Sequence, residues 1–257
     1  TEHFSITHCR SYIAAFPGLC LKKCFGVRFI FDMRGFWPDE RVEGKLWNRS
    51  NPLYRTVYWF FKYMERIFLQ EADYSICLTH SARKEIHSWK HIRNQPLRIE
   101  VIPCCVDTIH FNRQNVEKVR IRYLQTTLGI PEDCFVLTYL GSLGTWYLLD
   151  EMLLFYKELL QYKPQPRFLF ITPEPHHLIT VASERLQVPL EGIICKEVSR
   201  NELPAYLSLS TIAVFFIRPS FSKKASSPVK TGELLSMGIP VITNAGIGDN
   251  DSIFRET

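Results

Sequence analysis

The chain has 257 residues, 46% of them hydrophobic, enough for one large domain or two of ordinary size. A net charge of +5 is too slight to argue for nucleic acid, and suits an anionic small molecule or a membrane surface. The eight cysteines include no CxxC pair and no zinc-type His/Cys spacing, so no metal is expected and the thiols read as reduced core residues of a cytoplasmic protein.

In chain order, a short β-like run (HFSIT) precedes His8 and Arg10. Strands are expected at 27–32 (VRFIFD), 74–79 (YSICLT), 98–102 (RIEVI) and 135–140 (FVLTYL), then at 167–172, 192–195, 212–217 and 239–243. All are short and apolar on both faces, as parallel strands covered by helices should be. Helical patterns lie between them, clearest at 53–70, 81–90, 147–161, 177–187 and 228–237. This alternation specifies an α/β protein with parallel sheets. The polar stretch 111–119 separates two sets of strands, so two Rossmann-like doubly wound domains are expected, 1–112 and 113–257. Nothing reads as a signal peptide or a transmembrane helix. The start without Met and the end just after a strand and loop lead us to expect a fragment cut at both ends, with both domains incomplete.

Ligands of doubly wound sheets sit beyond the carboxyl ends of the strands. One such end is followed by the stretch ASSPVKTGELLSMGIPVITNAG (225–246). Pro228 suits the first helical position, Ser227 the N-cap and Gly238 the helix end. The front of this helix would carry partial positive charge, which favours phosphate or another anion. Lys230 in the first turn opposes the helix dipole unless an anion lies nearby. Glu233, one turn on, can accept hydrogen bonds from vicinal hydroxyls such as those of a ribose. Taken alone, the same residues also describe a capped surface helix with a solvated Lys and Glu.

The segment SSPVKTGELLSMGIPVIT resembles the donor-nucleotide motif of family 4 glycosyltransferases, which have the two-domain GT-B fold. VIPCCVDTIHF (101–111) resembles the family's interdomain segment, and ADYSICLTHSARKEI (72–86) the strand and helix before it. YLGSLGTWY (139–147) is similar to the glycine-bearing loop of the donor domain. FIFDMRGFWPDE (29–40) is similar to the Arg-x-x-Trp-Pro segment of lipopolysaccharide- and capsule-type members. The resemblance spans nearly the whole chain. It implies transfer of a sugar from a nucleotide-sugar donor to a saccharide or lipid-linked acceptor, with retention and without a metal ion. No cofactor is implied, because the nucleotide-sugar is a substrate.

By this resemblance Glu233 would hold the ribose hydroxyls, and Ser227 with the amides behind Pro228 would face the diphosphate or donor sugar. Gly141, Ser142 and Gly144 match the loop where backbone approaches the phosphates, although a plain tight turn would look the same. Two departures stand out. The first of the family's paired glutamates falls at Ala225, and Leu143 and Trp146 lie where an Arg/Lys clamp is usual. Arg218 and Lys230 are the favoured replacement charges, whereas Lys223 and Lys224 are as readily a solvated loop. For catalysis the candidates are Asp32, Arg34 and His8, with Asp39, Arg10 and His80 behind them. The family's aspartate after the arginine is replaced by Gly35. Asp249 and Asp251, in a DND sequence, read as a polar turn.

The aromatic, basic stretch 53–70 can lie on a membrane surface, but its apolar residues ring most of its circumference, which suits a packed helix better. If it docks, the protein would sit peripherally at the inner face of the plasma membrane. Two other readings share the cleft: a non-catalytic nucleotide-binding or scaffolding module, and a sugar-nucleotide epimerase.

Overall fold

The computed structural model describes residues 4–93 and 95–256. In chain order the elements run β1 (Ile6–Arg10), α1 (Ser11–Phe25), β2 (Arg28–Asp32), α2 (Trp37–Glu43), α3 (Pro52–Glu71), β3 (Tyr74–Cys77), α4 (His80–His87) and β4 (Ile99–Val101). There follow α5 (Lys118–Leu128), β5 (Val136–Leu140), α6 (Leu149–Tyr162), β6 (Arg167–Ile171), α7 (His176–Leu186) and β7 (Ile193–Lys196). The last elements are α8 (Leu203–Leu207), β8 (Ile212–Phe215), α9 (Val229–Ser236), β9 (Val241–Thr243) and α10 (Asn250–Glu256). The strands form two parallel sheets, in the orders β1-β2-β3-β4 and β7-β6-β5-β8-β9.

The sheets belong to two compact units, each Rossmann-like. The first holds the described residues up to Cys104, together with Pro219–Ser227 and those from Ala245 on. The second comprises Cys105–Arg218 and Pro228–Asn244. Both cores are aromatic: Tyr12, Phe29, Phe31, Phe36 and Phe68 are fully buried in the first, Tyr139, Tyr156, Phe168, Phe170 and Phe215 in the second.

This division differs from the single cut expected between 112 and 113. The polar stretch 111–119 does not separate the units, because the Phe111 ring is fully buried in the second and its carbonyl accepts the Ser236 hydroxyl at 2.6 Å. The two later segments return to the first unit through side-chain and backbone bonds. Phe221 stacks on Phe36 at 5.0 Å, and the Phe221 and Ser222 amides donate to the two carboxylate oxygens of Glu43 at 3.0 and 2.9 Å.

Helix α1 carries Pro17 and Gly18 in its interior, which hides it from a reading of periodicity. It forms because Gly18 lets the helix press onto the sheet. A Cβ there would lie 2.3 Å from Cys9 Sγ and 2.9 Å from the Phe29 ring. Only the second sheet reverses its strand order, between β5 and β8; the first runs in one direction among the described residues. That reversal opens a crevice at the carboxyl ends of β5 and β8, the usual ligand position in such sheets.

Candidate functional site

The crevice of the second unit is built from the loop after β5 and the first turn of α9. Gly141 continues β5, donating its N–H to Ile171 O at 2.9 Å. Its φ of +121° lies in a region side-chain-bearing residues rarely adopt, and a Cβ there would meet Lys230 Nζ at 2.6 Å. The conformation therefore calls for glycine, and any larger residue would also displace the tip of Lys230. Ser142 is exposed, and its carbonyl accepts the Tyr139 hydroxyl at 2.6 Å, which pins the loop. Gly144 is exposed too, and its carbonyl accepts Tyr147 N at 3.2 Å, closing a turn.

Lys230 is 8% exposed and enters an aromatic box. Its ammonium lies 3.7 Å from the Tyr147 ring centroid, 4.6 Å from that of Tyr139 and 5.5 Å from that of Phe215. Its one polar neighbour at bonding distance is the Tyr139 hydroxyl, at 3.5 Å, and among the described residues no carboxylate pairs with it. Burial pulls its pKa from 10.5 to about 7, only partly opposed by Glu233. The rings supply cation–π attraction but no compensating charge. A buried amine in this state calls for an anion.

Glu233 is likewise buried, at 5% exposure, and its Oε1 accepts Arg200 Nη1 at 2.8 Å. The reading of a surface helix with solvated Lys and Glu therefore fails: α9 packs both side chains inward. Thr231 Oγ1 on the same helix and Thr243 Oγ1 at the end of β9 are buried without a hydrogen-bond partner. Gly238, at φ +67°, ends the helix as expected, donating to Leu235 O at 2.9 Å.

Two donor-side expectations need correction, that for Ser227 and that for the Lys223 and Lys224 pair. Ser227 does not cap α9. Pro228 occupies the cap position, and the Ser227 hydroxyl instead accepts Cys104 N at 3.1 Å within the first unit. Arg218 makes no ion pair among the described residues; its Nη2 donates to Thr145 O at 2.6 Å and the guanidinium rests 5.3 Å above the Trp146 ring. Its role in the fold is to tie the 145–147 loop to the end of β8, a tie reinforced by Arg218 N donating to Trp146 O at 2.8 Å. Lys223 and Lys224 are committed in the first unit, to Glu40 at 2.7 Å and Glu85 at 2.8 Å. Lys223 is buried rather than solvated.

In the first unit, the register sets Arg10, not His8, opposite Asp32, and the His8 side chain reaches diagonally to Asp32, with Nε2 and Oδ2 3.3 Å apart. Asp32 is 8% exposed and its Oδ1 is buried without a partner. Arg34 follows at φ +62°, a left-handed conformation that costs a side-chain-bearing residue about 1–2 kcal/mol. Its Nη2 reaches toward Cys104 Sγ at 3.8 Å. Asp32 ends β2 and Arg34 lies just beyond it, whereas His8, expected after a strand, sits inside β1. Asp39 does not join them, because it accepts Tyr58 Oη and Lys62 Nζ, each at 2.9 Å. Lys62 also pairs with buried Glu65, which accepts the Tyr12 hydroxyl.

Asp249 is no idle turn residue. Its carboxylate accepts His80 N at 2.6 Å and Ser81 N at 3.0 Å, capping α4, while Asp251 accepts Gly246 N at 3.3 Å. Asn250 opens α10, so the DND sequence starts a helix rather than forming a loop. Among the described residues no group of three His, Cys, Asp or Glu side chains could hold a metal ion. Sequence reasoning missed Arg200 and the Tyr139–Tyr147 box. Arg200 lies in a loop without any motif, and β5 is buried throughout, so no pattern along it singles out Tyr139.

Two Rossmann-like units, one with a switch-point crevice carrying a buried lysine and glutamate, define the GT-B class of fold. Residues 1–110 match Glycosyltransferase Family 4. Among solved structures, a glycosyltransferase from Rickettsia africae aligns with a TM-score of 0.68 at 14% identity, over 97% of this chain and 60% of that one. Sucrose-phosphate synthase from Thermosynechococcus elongatus aligns at 0.66 and 13% identity, over 95% and 57%. Anabaena Alr3699/HepE, solved with UDP and glucose, aligns at 0.65 and 12% identity, over 96% and 61%. The chain thus spans about three-fifths of the length of these structures. No curated protein matches it.

Proposed function

We propose that the chain is part of a glycosyltransferase that moves a sugar from a nucleotide-sugar donor to a saccharide or lipid-linked acceptor, with retention and without a metal ion. The observation that carries this reading is Lys230, a buried amine without a carboxylate partner packed against Gly141. A diphosphate supplies the missing charge. Glu233 on the same helix then accepts the ribose hydroxyls. As the sugar leaves, negative charge gathers on the departing phosphate, and a fixed cation in a dry site lowers that barrier. The match of residues 1–110 to a glycosyltransferase family supports the same reading, as does the UDP and glucose complex of Alr3699/HepE.

The first unit takes the acceptor side in this proposal. Asp32, with one bonded and one free carboxylate oxygen, is its candidate base, His8 its partner and Arg34 an auxiliary cation. Trp59, Phe60 and Tyr63 stand exposed on α3 among basic residues, which supports peripheral membrane contact at a lipid-linked acceptor. No helix among the described residues is long and apolar enough to cross a membrane.

Calorimetry of UDP, GDP and ADP against the chain and its Glu233→Ala variant tests the reading. Binding of one nucleotide, lost in the variant, supports it and names the donor base. No binding, or binding indifferent to the variant, removes it. Binding without sugar transfer from the matching donor would favour the scaffolding module, a reading that Ala225, in place of a glutamate, also favours.

A further inference from the structure

Arg200 has no part in the sequence motif, yet it is the only described residue that bonds the carboxylate of Glu233. It lies in the loop between β7 and α8 with its side chain 61% exposed, whereas that of Glu233 is 7% exposed. Three contacts fix it. Nη1 donates to Glu233 Oε1 at 2.8 Å. The guanidinium sits 5.0 Å above the Phe111 ring, and the Arg200 carbonyl lies 2.9 Å from His110 Nε2. Phe111 is itself bonded to α9 through Ser236, so the arginine rests on a platform attached to the helix that carries Glu233. A planar guanidinium stacked on a ring is held in place, so its single bond fixes Oε1 better than a freely rotating lysine would. Oε2 is left without a bond from any described residue.

We propose that Arg200 is a positioning residue for ribose: it fixes Oε1 of Glu233 and so presents Oε2 to the vicinal hydroxyls of the nucleotide. This rests on the donor-site reading above. It goes further in naming the group that makes the site discriminate ribose from deoxyribose. A merely structural ion pair would leave that discrimination untouched.

The test compares, by calorimetry, the nucleoside diphosphate that binds (UDP, GDP or ADP) with its 2′-deoxy counterpart, on the unaltered chain, Arg200→Ala and Arg200→Lys. The unaltered chain should prefer the ribonucleotide by roughly tenfold or more, as loss of a hydrogen bond to a charged group implies. Arg200→Ala should bring the two within about threefold, and Arg200→Lys should fall between. An unchanged ratio in Arg200→Ala overturns the proposal while leaving the donor-site reading intact. Tighter binding of both nucleotides by Arg200→Ala also overturns it, since the arginine would then be a latch over the site. If no nucleotide binds, or Glu233→Ala binds normally, the donor-site reading falls first and the role of Arg200 with it. Melting curves confirm folding, which the exposure of the Arg200 side chain favours.

Discussion

The ammonium of Lys230 lies 3.7 Å from the centre of the Tyr147 ring, inside a box that offers it π-faces and one phenol but no carboxylate. The amine is held at the first turn of α9, where an anion would complete the arrangement. Nucleotide binding to Lys230→Met should therefore weaken by tenfold or more, roughly the value of one charge-assisted hydrogen bond. Calorimetry with the nucleotide that binds the unaltered chain checks this, and equal affinity would remove Lys230 from the site.

The same residue makes stability depend on pH. Folded Lys230 loses its proton at about 7, because burial opposes the charge, whereas the unfolded chain keeps it to 10.5. The unfolded state therefore binds more protons between those values, and the contribution of this group to stability rises with pH across them. Below about 7 the full cost of burying the charge is present. Lys230→Met should stabilise the fold, by on the order of a few kcal/mol near pH 6 and close to nothing near pH 10, as read by urea denaturation at the two pH values. An equal difference at both pH values would show that the amine is not desolvated.

A bound diphosphate should raise that lowered pKa. Binding then takes up protons above about pH 7, and affinity should fall as pH rises from there. Calorimetry in two buffers of different ionisation heat reads the uptake directly. A heat independent of buffer would mean that Lys230 does not change its charge.

Lys62 lies between two carboxylates, 2.9 Å from Asp39 and paired with fully buried Glu65. Burial pulls its pKa down, but Glu65 and Asp39 more than reverse this and hold it above the ordinary value. Lys62→Met would leave two acidic groups buried without their cation, at a cost of about 3–5 kcal/mol. Thermal or urea denaturation near neutral pH reads this. A loss below about 1 kcal/mol would mean that the network stands without its centre.

On the proposed acceptor side, Asp32→Asn should reduce turnover by about 10²–10⁴-fold and leave nucleotide affinity within about twofold, because the donor contacts proposed above belong to the other unit. Steady-state kinetics and calorimetry on the same preparation separate the two. Loss of both together would assign Asp32 to folding rather than to proton transfer.

The sequence was most informative where one residue type answers one local demand. Eight short apolar runs gave eight of the nine strands among the described residues, because parallel strands covered on both faces leave no other pattern. The polar front of α9 pointed to Lys230 and Glu233, but the burial of Lys230 depends on Tyr139, Tyr147 and Phe215, which come from two other strands and a distant loop. Helix α1 escaped notice because Pro17 and Gly18 break its local logic, and only the Cys9 and Phe29 surfaces explain why glycine is wanted. Asp249 read as a turn because capping of α4, far away in the chain, leaves no trace in adjacent residues. Long-range partners, rather than local propensities, account for each miss.

The first unit is discontinuous in sequence, and this governs the order in which the molecule can be made. Glu43 emerges from the ribosome long before the Phe221 and Ser222 amides that it binds, and the N-terminus of α4 waits longer still for Asp249. A nascent chain ending near Cys104 can pair its four strands, yet Phe36 has no Phe221 to stack on. Completion of the first unit must therefore follow synthesis of nearly all of the second. A chain released early would expose an aromatic surface of the kind that chaperones hold.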